Sequence, residues 1–200
     1  QMKELKEEVT QELLPRAFSR RKRINAWVDP QGGWLVIDAP SSARAEDVLE
    51  TLRQSLDSFP LALLRTERSP GSAMADWLAA GEAPEGFTID QDCELRAVTE
   101  DKAAVRYVRH TLEGEEVKAH LSAGKLPTRL ALTFDDRVSF VLTEKGEVKR
   151  VQFLDVVQEQ VDGGAESAAE LFDAHFALMT GELRRLIPAV ADSLGGESKG

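Results

Sequence analysis

The sequence predicts an α+β protein, with mixed or antiparallel sheets and flanking helices. Three observations carry that prediction. Apolar residues recur at helical spacing at both ends of the chain, as in Leu5, Val9 and Leu13 and again in Phe172, Phe176, Met179, Leu183 and Ile187. Between them, Thr128–Leu154 alternates apolar and polar residues with two turn signals, which is the pattern of an antiparallel meander. Composition agrees, because 42% apolar and 30% charged residues over 200 positions support a buried core.

Residues 2–14 read as a helix that Pro15 ends. Ile24–Asp29 and Trp34–Asp38 read as the two strands of a hairpin, joined by the turn Pro30-Gln31-Gly32-Gly33. Ser41 or Ser42 caps a helix running to about Leu56, with Val48, Leu49, Leu52 and Leu56 as its apolar stripe. A short strand is expected at Leu61–Leu64, and the helix–strand alternation suggests an α/β layer here. Ser69-Pro70-Gly71 reads as a break. A short helix holding Met74, Trp77 and Leu78 follows and stops near Gly81. Glu82–Asp92 reads as loop, Glu94–Thr99 is ambiguous, Val105–Val108 reads as strand and Gly114–Ser122 as helix. The meander turns at Asp135-Asp136 and at Lys145-Gly146. A final helix runs from about Ala165 to Leu194, bent or interrupted at Pro188. Three regions result: 1–65 with the first helix, a basic connector and the hairpin; 66–155 with the meander; and 156–200, which is helical.

Several function classes find no support. No Gly-rich run reaches Gly-Lys-Ser/Thr, and no dinucleotide fingerprint is present, so Gly32-Gly33 reads as a turn. One cysteine and three scattered histidines give no zinc spacing, and no cofactor is predicted. The single cysteine, Cys93, excludes an intrachain disulfide and fits a cytosolic location. No run of 18 apolar residues suggests a membrane span. The opening Gln1–Glu7 lacks the apolar stretch of a secretory signal and reads as the interior of a helix, so a longer parent chain is expected at this end.

The formal net charge of −10 opposes nonspecific binding through bulk charge, but not through a focused basic patch. Five of the eight residues from Arg16 to Arg23 are basic: Arg16, Arg20, Arg21, Lys22 and Arg23. From Asp155 to Gly200, nine acids face three bases, so a polyanion is expected to meet the first region and be repelled by the last. Guanidinium groups match phosphate oxygens, which makes the cluster either a backbone-contact patch or a solvated connector. Phe18 inside it is an aromatic that packs on its own hairpin, fills a partner's pocket or wedges against bases. A second basic segment, Arg106-Tyr107-Val108-Arg109-His110, places Arg109 and His110 near a strand end, and Arg129, Lys149 and Arg150 are further candidates on the meander.

Catalytic readings are weaker. Asp135-Asp136 can be drawn as a metal-holding pair but reads as a turn. A metal-dependent nuclease would require Asp29, Asp38, Asp135 and Asp136 to converge. His175 lies on the apolar side of the last helix and reads as a core or interface histidine, His120 as incidental. Cys93 has no histidine base nearby.

The segment Leu13-Leu14-Pro15-Arg16-Ala17-Phe18-Ser19-Arg20 resembles a characteristic stretch of the RdgC family of recombination-associated proteins. Ala45-Glu46-Asp47 with Leu52-Arg53-Gln54-Ser55-Leu56, Ala123-Gly124-Lys125 with Leu130-Ala131-Leu132, and Leu178-Met179-Thr180-Gly181-Glu182-Leu183 are similar to its later segments in the same order. The likeness covers nearly all of the chain and corresponds to the C-terminal two-thirds of a typical member. It implies a non-enzymatic protein, shaped as a horseshoe, whose homodimer closes a ring around double-stranded DNA. It further implies nucleoid association and indirect antagonism of the recombinase. On this resemblance Phe18 falls at a dimer contact and Arg109 at a DNA-contact position, with His110 beside it where the family pattern can hold a glutamine. Arg106, Arg16, Arg20, Arg21, Lys22 and Arg23 complete the candidate DNA-binding set. The alternatives are an interaction module for recombination factors with weak DNA contact, and the nuclease above.

Overall fold

The computed structural model describes residues 2–18, 21, 23–99, 102–159 and 167–198. The chain separates into two compact units, 1–61 and 62–200.

The first unit opens with helix α1 (Met2–Leu13), which a 3-10 turn (Leu14–Arg16) with Pro15 in its first turn extends. Its apolar residues Met2, Leu5, Val9 and Leu13 are all exposed. The expected hairpin is present as β1 (Asn25–Asp29) and β2 (Trp34–Asp38), antiparallel in the register Asn25↔Asp38 to Asp29↔Trp34. Its turn is closed by the Asp29 carboxylate, whose Oδ1 accepts from Gln31 N–H at 3.2 Å, and by the Gly33 N–H donating to the Asp29 carbonyl at 2.9 Å. Gly33 supplies the positive φ of 73° that this turn needs. Helix α2 (Ser42–Ser55) follows with Ser41 as its N-cap residue. The strand expected at Leu61–Leu64 does not form. No other strand pairs with it, and Leu63 and Leu64 are exposed.

In the second unit the Ser69-Pro70-Gly71 break is a helix start. Ser69 Oγ accepts from Ser72 N–H at 3.3 Å, and Pro70 opens helix α3 (Pro70–Ala80) with its fixed φ. Gly81 ends that helix in the left-handed conformation. The expected loop after it is wrong from residue 87 onward: β3 runs Phe87–Ala97 and also takes in most of the ambiguous stretch. The remaining elements are β4 (Ala104–Tyr107), α4 (Glu115–Ser122), β5 (Lys125–Phe134), β6 (Val138–Thr143), β7 (Val148–Phe153), α5 (Asp155–Gln158) and α6 (Ala168–Ser193). The five strands form one antiparallel sheet in the order β4-β3-β5-β6-β7. The β5–β6 turn places Asp135 and Asp136 at φ of 50° and 53°, and Arg137 N–H donates to the Phe134 carbonyl at 2.9 Å, with Phe134 paired to Val138 across the three residues Asp135–Arg137.

One face of this sheet carries the core. Cys93, Leu95, Leu130, Leu132, Val138, Phe140 and Leu142 pack there against Met74, Trp77 and Leu78 of α3, Val117 of α4, and Leu186 and Val190 of α6. The buried side chains of helix α6 are Thr180, Glu182, Leu186, Val190 and Ala191, all toward its C-terminal end. Arg137 Nε and Nη2 donate to Glu182 Oε1 at 2.9 and 2.6 Å, and Arg185 pairs with Asp135. Pro188 lies within α6 and does not interrupt it. In the first half, Phe172, Phe176 and Met179 of the expected stripe are exposed. His175 is exposed there too, with Nδ1 at 2.9 Å from the Leu171 carbonyl oxygen, and so is not a core histidine.

Candidate nucleic-acid interface

With helices on one face, the alternation of the strands sends polar residues to the other. On β5, Leu130, Leu132 and Phe134 enter the core, while Arg129 points to the open face. Arg129 lies opposite Glu94 of β3 on one side and Thr143 of β6 on the other. Arg106 of β4 lies opposite Glu94 on its far side, so Arg106, Glu94, Arg129 and Thr143 form one row across four strands. Directly opposed residues share a face. Arg106 and Arg129 are two strands apart, about 10 Å at the usual strand spacing. Lys149 of β7 faces Val141 of β6 one step along, and Arg150, with a positive φ of 53°, follows it beside the register shift between β6 and β7.

These side chains surround a shallow concavity of about 480 Å³, lined by four cations, Arg106, Arg129, Lys149 and Arg150, and two carboxylates, Asp92 and Glu94. Both carboxylates are bonded within the protein. Glu94 Oε1 accepts from Thr128 Oγ1 at 2.9 Å and from Arg96 Nη2 at 2.9 Å, and Asp92 Oδ1 accepts from the Arg109 N–H at 2.9 Å. The Thr128 hydroxyl bond, helped by the charges of Arg129 and Arg96, outweighs desolvation and holds the Glu94 carboxyl below its ordinary range. Both acids are thus already engaged by donors of the protein itself, and the cations outnumber them two to one. Lys149 Nζ also meets Glu147 at 3.0 Å. Arg106, Arg129 and Arg150 are exposed.

The structure places the other candidates as follows. Arg109 and His110 sit just past the end of β4 and do not line the concavity. Arg109 is exposed and holds a φ of 51°, outside the range most arginines adopt, with its N–H fixed by Asp92. His110 is exposed; its Nδ1 lies 2.7 Å from the Thr111 carbonyl oxygen and its Nε2 3.5 Å from Glu116. In the first unit, Arg16 ends the 3-10 turn, Arg21 and Arg23 are exposed in the connector, and Phe18 is fully exposed at 102%. Arg20 and Lys22 lie outside the described residues. Arg96, which orients Glu94, was not singled out from the sequence; its position two residues from Glu94 on one strand was the available signal.

The carboxylates proposed for a nuclease do not gather within either unit. Asp29 and Asp38 stand at opposite ends of the β1–β2 hairpin, roughly 13 Å apart along the strands. Asp135 pairs with Arg185. Among the described residues, no group of three or more His, Cys, Asp or Glu side chains is arranged to hold a metal ion. No helix among them is long and apolar enough to cross a membrane.

Comparison with known proteins adds a family. The model of the RdgC family, described as "Putative exonuclease, RdgC", matches residues 1–197. The chain is 60% identical over 200 residues to the recombination-associated protein RdgC of Dechloromonas aromatica (strain RCB), covering 98% of this chain and 66% of that one. It is 53% identical over 199 residues to the protein of the same name from Cupriavidus pinatubonensis, covering 100% of this chain and 67% of that one. It is also 53% identical over 197 residues to that from a Janthinobacterium species (strain Marseille), covering 98% and 66%. The chain thus spans about two thirds of the length of these relatives.

Proposed function

The chain belongs to the RdgC family, and from that premise we propose that it binds the phosphate backbone of duplex DNA, without reading base sequence, in the service of recombination. One observation carries the reading: Arg106, Arg129, Lys149 and Arg150 from three strands converge on one open concavity whose carboxylates are already bonded within the protein. Guanidinium and ammonium groups on a sheet face meet phosphate oxygens of any sequence, and the affinity comes mainly from released counterions. A chain of net charge −10 can do this because the field is local to the face.

The finer proposal is that the parent protein closes a dimeric ring around the duplex and limits recombinase access by occupying it. The relatives' name, "Recombination-associated protein RdgC", supports the recombination role. The full exposure of Phe18 supports a subunit contact there, since a bare aromatic is the usual anchor of an interface. Nucleoid association follows from the same proposal.

The test is fluorescence anisotropy with two labelled duplexes of unrelated sequence. The double variant Arg106→Glu with Arg129→Glu is expected to abolish binding to both at moderate salt, with the circular dichroism spectrum unchanged. Binding that survives this double reversal places the DNA elsewhere and removes the sheet face from the account.

A further inference from the structure

Strand β3 is longer than the strand that covers its outer edge. β4 pairs only with Cys93–Arg96, whereas β3 begins at Phe87. Beyond β4 the chain touches β3 again where the Arg109 N–H donates to Asp92 Oδ1 at 2.9 Å and the His110 N–H to the Gln91 carbonyl at 3.0 Å, and Thr111–Glu113 then form the far side of a cleft along the remaining edge. Among the described residues, no strand pairs with the outer edge from Phe87 to Asp90. In an antiparallel ladder, alternate residues bond to each neighbour. Asp135 N–H donates to the Gly86 carbonyl at 2.8 Å, so Gly86 and Thr88 serve β5, while Phe87 and Ile89 turn their bonding groups outward. The Phe87 N–H is taken by the Pro84 carbonyl at 3.0 Å. That leaves the Phe87 carbonyl and both backbone groups of Ile89 facing a cleft.

The cleft has a volume of about 850 Å³. Leu78, Ile89 and Leu112 give it an apolar floor, Asp90 and Glu113 are its charged lining residues, and no lysine, arginine or histidine lines it. Asp90 is half-buried and shares a face with Thr133, whose hydroxyl donates to its two carboxylate oxygens at 3.1 and 3.0 Å. An open strand edge beside a groove is the geometry that accepts an added strand. The acids on it decide which strand. A second copy of the same edge would set Asp90 near Asp90, and like charges across a strand pair repel.

We propose that the open edge of β3 at Phe87–Asp90 receives an extended basic segment of a protein partner, added in line with β4, with lysine or arginine side chains facing Asp90 and Glu113. Backbone bonds to Ile89 supply the register, and the carboxylates supply the charge preference. Burial raises the Asp90 carboxyl above its ordinary range, so a cation brought beside it relieves a penalty that the free protein carries. This surface is separate in chemistry from the cationic concavity, whose lining carries four cations where this cleft has none.

The experiment uses the full chain and three labelled hexapeptides: alternating arginine–valine, alternating glutamate–valine, and the arginine–valine peptide N-methylated on the backbone edge that would face β3. Anisotropy is expected to show binding of the first, with the other two weaker by about tenfold or more, the weight of a charge-assisted or backbone hydrogen-bond set. Hydrogen exchange is expected to show slower exchange of the Ile89 amide when the first peptide is present. Glu113→Gln, at an exposed position, is expected to weaken binding severalfold, as is Asp90→Asn. No binding of the arginine–valine peptide, equal binding of its N-methylated form, or an unchanged Ile89 amide would each overturn the proposal.

Discussion

Arg129→Gln removes one of the four cations of the concavity and leaves a shorter, neutral polar side chain in its place. If each cation meets one phosphate, the logarithm of the binding constant falls with the logarithm of salt at a slope of about −3.6 for four contacts and about −2.7 for three. Raising salt from 50 to 200 mM then weakens the unmodified chain by about 150-fold and the variant by about 40-fold. The variant itself should bind about 15-fold more weakly than the parent at 50 mM and about fourfold more weakly at 200 mM, because the missing contact acts only through released counterions. Anisotropy titrations at four salt concentrations, on two duplexes of unrelated sequence, measure both quantities. Lys118→Gln on α4, the helix-covered side of the sheet, is the control and should leave the slope unchanged. An Arg129→Gln slope equal to the parent's refutes the phosphate contact. A loss confined to one of the two sequences refutes backbone recognition.

Leu186 of α6 is fully buried in the core, so Leu186→Ala should cost about 2–5 kcal/mol of stability in denaturant titration, showing that the second half of the helix is integral to the sheet domain. The Glu94 carboxyl, depressed by the Thr128 hydroxyl and by Arg129 and Arg96, should titrate below its ordinary 4.5 when followed by NMR. Its contribution to stability is then complete above that ordinary value and disappears as pH falls through the lower folded one, so wild type and Glu94→Gln should differ at neutral pH and converge in acid. End-labelled duplex should stay intact with the chain and magnesium. Cleavage that is lost in Asp135→Asn with Asp136→Asn would install the nuclease reading in place of DNA binding alone.

The parts of this fold that could be read from sequence are those whose pattern is local. The meander β5-β6-β7 declares itself because each strand alternates within a few residues of a turn, and Asp135-Asp136 tolerates the left-handed geometry that the turn requires. The start of β3 hid behind its acids. Thr88, Asp90 and Gln91 look like loop, although Phe87 and Ile89 keep the inward period. Ser69-Pro70 looked like a break because the same pair that stops one element also caps the next. The stripe on α6 was visible, but which half of it meets the sheet depends on residues some 45 positions away, as with Arg137 and Glu182. The cationic site was legible only as separate candidates. Arg106, Arg129 and Lys149 are spread over more than forty residues and become neighbours only through strand register.

Cys93 contributes to the core with a side chain 3% exposed, and burial pushes its thiol up to about 12, so at neutral pH it is almost wholly in the unreactive form. The chain has no other cysteine. A maleimide dye added to the native protein therefore has nowhere to attach, and a cysteine introduced at Phe18 or at Glu113 becomes the sole address for a fluorophore. The fold has thus left a silent background for spectroscopy, in which distance changes between the label and a tagged duplex or peptide can be followed without first stripping out a competing sulfur.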